Sequence, residues 1–325
     1  MYLTNSEGGK TMKIVILGAG GMGSRFGLML KKAGKDVTLL DGWDKNIEAI
    51  REHGIRANYN GEEVQVDIDI YPIDDFDPDL KADLLIVFTK AMQLEDAIQA
   101  TRSIVTDQTK VLCLMNGIGY DDILRKYFDD EQIVLGNTMW TAGLEGPGRP
   151  KLFGNGYVNL LNLGKSEEAA AAAKDIVALL DEAGLNGVYE KEIFYLIYKK
   201  VCVNATMNGL CTILECNMAD LGDAQASHDL INQLVKEVVD VANAEGVEMD
   251  LDEMIEHVGE CFNRETIGGH FPSMYQDLIT NKRLTEIDYI NGAVAQKGKK
   301  LNVPTPYNQF LTSLVHTKEQ LLGAK

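Results

Sequence analysis

The chain has 325 residues, with 31 basic against 49 acidic side chains and a formal charge of −18. At roughly 150 residues per domain this length accommodates two domains, each able to bury its own core. Hydrophobic residues at 45% and charged residues at 25% describe an ordinary globular chain, and the negative charge excludes nucleic acid and anionic lipid as general partners.

Residues 1–11 are polar and lack the apolar stretch of a signal peptide. A second methionine, Met12, directly precedes the first strand-like run, and Glu7-Gly8-Gly9 can be encoded by a purine-rich stretch resembling a ribosome-binding site. Met12 is therefore the expected start, and residues 1–11 the expected non-native or disordered extension. From Lys13 onward the pattern is strand (Ile14–Leu17), glycine turn (Gly18–Gly23), helix (Arg25–Ala33) and strand (Val37–Leu40). Continuous Val/Ile/Leu runs separated by helical patterns indicate a parallel sheet covered on both faces. Further strands are expected at Leu84–Phe88, Val111–Met115, Ile133–Thr138 and Tyr157–Leu163, followed by an alanine-rich helix, Glu167–Ala183, stopped by Gly184. Beyond about Glu190 only helical periodicity remains, over Lys191–Met207, Ala226–Ala244, Asp250–Phe262, Thr285–Lys300 and Pro306–Leu322. The expected architecture is α/β: a doubly wound parallel sheet over residues 12–188, then an all-helical domain over 189–325, with a ligand crevice between them.

Five scattered cysteines without a C-x-x-C pair read as reduced thiols of a cytoplasmic protein. The five histidines show no metal-ligand spacing, so no metal is expected. No apolar run reaches the roughly 18 residues of a membrane helix.

Gly18-Ala19-Gly20-Gly21-Met22-Gly23 is a G-x-G-x-x-G turn between a strand and a helix, the Rossmann-type dinucleotide fingerprint. Gly18 permits the tight turn, Gly20 lets backbone approach a pyrophosphate, and Gly23 lets helix and strand pack closely. The phosphates then meet the helix N-terminus, where free N–H groups favour negative charge. Asp41 ends the second strand, 18 residues after Gly23. Its carboxylate suits the adenine-ribose hydroxyls and repels a 2′-phosphate, so NAD(H) is favoured and NADP(H) is the alternative. Asp41 could instead cap the helix that begins near Asp44, and Lys45 and Arg51 lie shortly beyond it.

Two other strands run into Thr89-Lys90 and Asn116-Gly117-Ile118-Gly119. Lys90 is either a solvated loop lysine or a ligand contact, and Asn116 either turn chemistry or a ligand contact. In the helix from Lys191, Lys200, Asn204 and Asn208 recur every fourth residue among Val201, Cys202, Val203, Ala205 and Met207. One lysine and two asparagines on a single stripe of a largely apolar helix are costly unless each finds a partner. They form either an internal network joining the two domains or a row of donors aimed at a ligand, and the second reading is preferred. Near the C-terminus, Ser273-x-x-Gln276 matches a capping box and Thr285 with Asp288 resembles one.

These segments resemble the ketopantoate reductase (2-dehydropantoate 2-reductase) family over essentially the whole chain from Met12. The carriers are the glycine loop, Thr89-Lys90-Ala91-Met92-Gln93, Asn116-Gly117-Ile118-Gly119, Lys200-x3-Asn204-x3-Asn208, Pro272-Ser273-Met274-x-Gln276-Asp277 and Thr285–Gly292. The resemblance implies that Lys200 is the catalytic proton donor and that Asn116, Asn204, Asn208 and Ser273 hold the substrate together with Lys200. It implies cofactor contacts from Lys90, Asn116 and Glu286 and from the backbone at Ala142, and places a further substrate asparagine near Asn217 on a poor local match. The expected substrate is a small branched 2-oxo acid, the expected reaction 2-dehydropantoate to D-pantoate in pantothenate biosynthesis, and a homodimer is compatible with it. Two departures stand out. Asp41-Gly42 replaces the family's usual NADP-binding arginine, and Asn208-Gly209 its frequent Asn-Pro. The first points toward NADH and toward NAD-dependent D-2-hydroxyacid dehydrogenases of the same family, the second reading of the chain. A non-catalytic nucleotide sensor is the third.

Overall fold

The computed structural model describes residues 12–325; the expectations about residues 1–11 lie outside them. The chain divides into two compact units, one running up to Met115 and resuming over Ile123–Lys191, the other formed by Asn116–Asp122 and Glu192–Lys325. A single cut near residue 188 was expected. The observed division follows Lys191, and a seven-residue loop crosses to the second unit.

The strands of the first unit are β1 (Lys13–Leu17), β2 (Asp36–Asp41), β3 (Ile55–Tyr59), β4 (Glu62–Val66), β5 (Asp69–Pro72), β6 (Leu84–Val87), β7 (Lys110–Cys113), β8 (Ile133–Thr138), β9 (Thr141–Gly146), β10 (Arg149–Phe153), β11 (Val158–Asn162) and β12 (Gly187–Tyr189). Eight of them form one sheet in the order β12-β11-β8-β7-β6-β1-β2-β5, parallel throughout except for the β8–β11 pair. Helices α1 (Gly21–Lys32), α2 (Asp44–His53), α3 (Leu94–Ala100), the short α4 (Tyr120–Leu124) and α5 (Glu167–Glu182) connect them. Leu39, Ile16, Ile86, Leu112 and Val134 stand in register as a fully buried row on one face of the sheet, and Val15, Leu85 and Val111 are equally buried on the other, so these strands are apolar on both faces. The chain reverses direction about β1, with β2 on one side and β6 on the other, and at such a switch point the carboxyl ends of the strands leave a ligand crevice.

A second sheet, β4-β3-β10-β9, is absent from the sequence expectation. Its β3–β4 hairpin turns on Asn60-Gly61, both at positive φ (50° and 93°), the conformation an Asn-Gly turn favours.

The second unit is helical: α6 (Ile193–Leu214), α7 (Met218–Asp223), α8 (Ser227–Ala244), α9 (Leu251–Glu260), the one-turn α10 (Ser273–Tyr275), α11 (Asn291–Leu301) and α12 (Pro306–Leu322). Helix α6 packs against α8, α10 and α12, and Tyr198, Val201, Cys202, Ala205, Met207 and Cys211 bury all around it. It runs seven residues past the expected Met207, to a left-handed Glu215 (φ 56°), where Lys318 Nζ donates to the carbonyls of Thr212 and Ile213.

The expected helix Thr285–Lys300 is a 3-10 turn over Ile287–Tyr289 followed by α11. The reason lies in competing partners. Glu319 Oε1 takes the Thr285 N–H at 2.7 Å and Thr285 Oγ1 takes the Ile287 N–H at 3.3 Å, while the Tyr289 carbonyl accepts from Ile118 N at 3.1 Å. Gly117 (φ +115°) lies so close to that carbonyl that a Cβ would come within 2.0 Å of it. The Tyr120 and Tyr289 rings stack 5.8 Å apart, and Tyr120 Oη donates to the Asn116 carbonyl at 2.6 Å. These contacts fasten Asn116–Asp122 to the helical unit. Among the described residues no helix is long and apolar enough to cross a membrane.

Candidate active site

The glycine loop joins β1 to α1. Gly18 has φ +90°, and a Cβ there would meet the Phe88 carbonyl at 2.6 Å; one on Gly23 would meet the Gly18 carbonyl at 1.8 Å. Both positions therefore require glycine. Gly20 is the N-cap of α1, extended and without a side chain to cap it. The N–H groups of Gly21, Met22 and Gly23 open the helix with no intrahelical acceptor, as an anion site requires. Gly21 abuts the hairpin strand β9, where a Cβ would stand 3.1 Å from the Gly143 carbonyl and 3.2 Å from that of Ala142.

Asp41 is tied to this loop. Its Oδ2 accepts the Ala19 N–H at 2.5 Å and Asn46 Nδ2 at 3.5 Å, and its Oδ1 accepts the Trp43 N–H at 2.7 Å. Helix α2 has Trp43 as N-cap with no side-chain cap, so the capping alternative for Asp41 is not what the fold uses. Arg51 donates Nε to the Ile70 carbonyl and lies over the Tyr71 ring. Lys45 is exposed. Asn46, fully buried, is a residue the sequence reading missed: Nδ2 donates to the Ala19 carbonyl and Oδ1 accepts from Gly148 N, binding loop, helix and hairpin turn together. An asparagine in an amphipathic helix carries no sequence signal for that role. Lys90, half-buried, caps the 3-10 turn Ala91–Gln93 at the end of β6. Ala142, on β9, pairs with Leu152. This cradle fits a dinucleotide: three free N–H groups, backbone approachable to van der Waals distance and one carboxylate at the end of β2.

In the helical unit, α6 carries Lys200, Asn204 and Asn208 on successive turns. Lys200 keeps some surface, yet its ammonium is so enclosed that burial lowers its pKa from 10.5 to about 8. Asn208 is 5% exposed, and among the described residues neither it nor Asn204 hydrogen-bonds through its side chain. The internal-network alternative is thus not realised by the asparagines. Neither amide is a fully enclosed, unpartnered group; both keep some exposed surface and are available to a polar ligand.

Ser273 corrects a second expectation. Pro272, not Ser273, occupies the N-cap of α10, no side chain caps the turn, and Gln276 Nε2 reaches back to the Phe271 carbonyl. The exposed Ser273 hydroxyl is left uncommitted among the described residues. Glu286 precedes the 3-10 turn Ile287–Tyr289, in the segment whose Tyr289 carbonyl holds the Asn116 loop. Asn217 instead caps α7, with Oδ1 accepting from Asp220 N at 2.8 Å and Nδ2 donating to the Asp220 carboxylate. Among the described residues no cluster of His, Cys, Asp and Glu could hold a metal, and all five cysteines are free.

The expected site residues divide between the units: Gly18–Gly23, Asp41, Lys90 and Ala142 belong to the first, Asn116, Lys200, Asn204, Asn208, Ser273 and Glu286 to the second. Residues 14–165 match the family described as "Ketopantoate reductase PanE/ApbA" and residues 192–319 its C-terminal counterpart. The 2-dehydropantoate 2-reductase of Lactococcus lactis is 56% identical over 97% of this chain and 100% of its own length, and that of Streptococcus pyogenes is 42% identical over 96% and 99%. Among solved structures, D-mandelate dehydrogenase with NADH and anilino(oxo)acetate is 54% identical and superimposes with a TM-score of 0.93 over 97% of this chain and 100% of that one. With a Rossmann-type sheet followed by a helical unit, and a relative matching 97% of its length, the chain belongs to the ketopantoate reductase family of oxidoreductases.

Proposed function

We propose that this protein reduces a branched 2-oxo acid to the (R)-2-hydroxy acid with NADH, 2-dehydropantoate to D-pantoate being the foremost pair. The names of the Lactococcus and Streptococcus relatives support the substrate. Asp41 supports the coenzyme, since a fixed carboxylate at the end of β2 accepts ribose hydroxyls and repels a 2′-phosphate. Nicotinamide dinucleotide, when bound, supplies the hydride. Lys200 does the rest of the chemistry. As an ammonium beside the carbonyl oxygen it stabilises the negative charge that grows there and then donates its proton. Asn116 and Asn204 orient the carbonyl, Asn208 and Ser273 bind the polar groups of the substrate, and Lys90, Glu286 and the Ala142 backbone serve the coenzyme.

The observation that carries this reading is the enclosed Lys200, whose pKa of about 8 suits an acid working near neutral pH. A second reading, an NAD-dependent D-2-hydroxyacid dehydrogenase acting on another branched or aromatic 2-oxo acid, is favoured by Asp41-Gly42 and by the 54% identity to D-mandelate dehydrogenase. Steady-state rates with 2-dehydropantoate, 2-oxoisovalerate and phenylglyoxylate, each with NADH and NADPH, test both. The highest kcat/KM for 2-dehydropantoate supports the first and for phenylglyoxylate the second. Inactivity with every pair refutes both and leaves the sensor.

A further inference from the structure

Arg25 takes no part in that chemistry, yet among the described residues it is the largest fully buried side chain, with 0% of its surface exposed. It stands one turn into α1. Nη2 donates to the carbonyls of Thr141 and Phe153, both at 2.9 Å, and the guanidinium lies 4.5 Å from the Trp140 ring centroid and 5.4 Å from that of Tyr59. Nε is buried without an acceptor. Among the described residues no carboxylate pairs with it, and burial lowers its pKa without discharging it at neutral pH. A buried cation lacking a counter-ion costs several kcal/mol. Joining two carbonyls does not justify that cost, because a neutral glutamine could do the same.

Its position supplies a reason. Arg25 lies four residues, about 6 Å along the axis, behind Gly21, whose N–H opens the anion site. The hairpin it grips at Thr141 is the one that abuts Gly21 through Ala142 and Gly143. The chain carries −18 charges, and two further cations of this part of the chain are committed elsewhere: Arg51 to the Ile70 carbonyl, Lys35 to Glu182. We propose that Arg25 is a built-in countercharge for the dinucleotide: a cation held inside the fold that attracts the pyrophosphate through the glycine loop without touching it. The proposal rests on the reading that this loop binds NAD(H), and it makes Arg25 a determinant of coenzyme affinity rather than a catalytic residue.

The test compares equilibrium binding of NADH, ADP-ribose and uncharged adenosine to wild type, Arg25→Gln and Arg25→Lys at pH 7 and low salt. A unit charge acting on a single phosphate charge over roughly 10 Å at an effective dielectric of about 20 changes affinity about tenfold, and the pyrophosphate carries two such charges. Arg25→Gln is therefore expected to weaken NADH and ADP-ribose at least about tenfold and leave adenosine unchanged, whereas Arg25→Lys retains most of the dinucleotide affinity. Equal loss for adenosine and NADH shows a packing role and overturns the proposal, as does unaltered dinucleotide binding by Arg25→Gln. If Arg25→Gln does not fold, Arg25→Met gives the same comparison with the same outcomes. A wild type that binds adenosine but neither dinucleotide removes the coenzyme reading itself, and the proposal with it.

Discussion

Lys200 permits the most demanding prediction, because one number governs both rate and stability. On the proposed mechanism reduction needs its ammonium, and with a pKa of about 8 the acid is about 90% protonated at pH 7 and about 9% at pH 9. The kcat/KM for reduction is expected to be flat below pH 7 and to fall about tenfold per pH unit above 8. Oxidation of the hydroxy acid, which needs the neutral amine, rises through the same pKa. Lys200→Met lowers kcat at least about 100-fold, the low end for a positioned general acid, and erases the basic limb. The same enclosure costs stability. The interval between 10.5 and about 8 corresponds to at most about 3 kcal/mol against the charged form. The folded-state pKa is the lower one, so between pH 8 and 10.5 the unfolded chain binds more protons and stability rises with pH. Lys200→Met is thus expected to melt higher than wild type at pH 7, by an advantage that shrinks as pH rises through that window. Initial rates followed by NADH absorbance and melting curves from pH 6 to 10 check both. A basic limb that persists unchanged in Lys200→Met, or a wild-type rate flat across the range, refutes the acid role, and a variant that melts lower at pH 7 refutes the desolvation argument.

Asn208→Ala removes a buried amide with no protein partner, so melting temperature should hold or rise while KM for the 2-oxo acid increases at least about tenfold; a fall in stability with unchanged KM would assign Asn208 to the scaffold. Asp41→Asn keeps an acceptor for the Ala19 N–H and removes the charge, so the ratio of kcat/KM with NADPH to that with NADH should rise about tenfold, read from the two coenzymes side by side. His316 bridges Asp288 and Glu319 at 2.9 and 2.8 Å, and these partners raise its pKa despite partial burial. Its contribution is complete below the unfolded-state pKa and is lost as pH rises through the higher folded-state value. The stability gap between wild type and His316→Gln should therefore close on moving from pH 6 to 9 in denaturant titrations.

How far the sequence reaches depends on what each residue has to satisfy. Ile133–Thr138 is found at both ends to the residue, because it opens on the apolar run Ile133-Val134-Leu135 and is buried along its whole length. The sheet of β4, β3, β10 and β9 is hidden for the opposite reason: Glu62–Val66 and Thr141–Gly146 are half-exposed, polar or glycine-rich. Its one audible signal, Asn60-Gly61, is short. The glycine loop, Asp41 and the Lys200–Asn204–Asn208 stripe are legible because fixed spacing and costly residue types coincide. Ser273 misleads because S-x-x-Q fits a capping box, and only coordinates show Pro272 in the cap position. Helix Thr285–Lys300 fails as a unit because the Thr285 N–H and the Tyr289 carbonyl are engaged by residues distant in sequence.

Arg25 is the residue least visible in the sequence, since an arginine in an amphipathic helix ordinarily reads as surface. In their proposed roles, Arg25 and Lys200 are two ways for an acidic chain to handle anions. Exposed cations on this surface engage carboxylates, as Lys126 does with Glu95 and Arg264 with Asp220 and Asp223, and water and salt weaken what field remains. Enclosure removes both losses, because a cation in a poorly polarisable setting acts over a longer range on whatever anion enters. Lysine and arginine then divide by their proton affinity. The ammonium of Lys200 comes down to a pKa of about 8 and can give up its proton, whereas the guanidinium of Arg25 stays charged through any accessible pH. Exchanging the types should therefore fail in different ways: Lys200→Arg keeps the charge and loses proton transfer, so kcat falls with little change in KM. Arg25→Lys should keep NADH affinity at pH 7 but release it as pH rises, because a lysine buried there titrates. NADH titrations of Arg25→Lys at pH 7 and pH 10 decide the point, and affinity that is independent of pH would show that the position does not act through its charge.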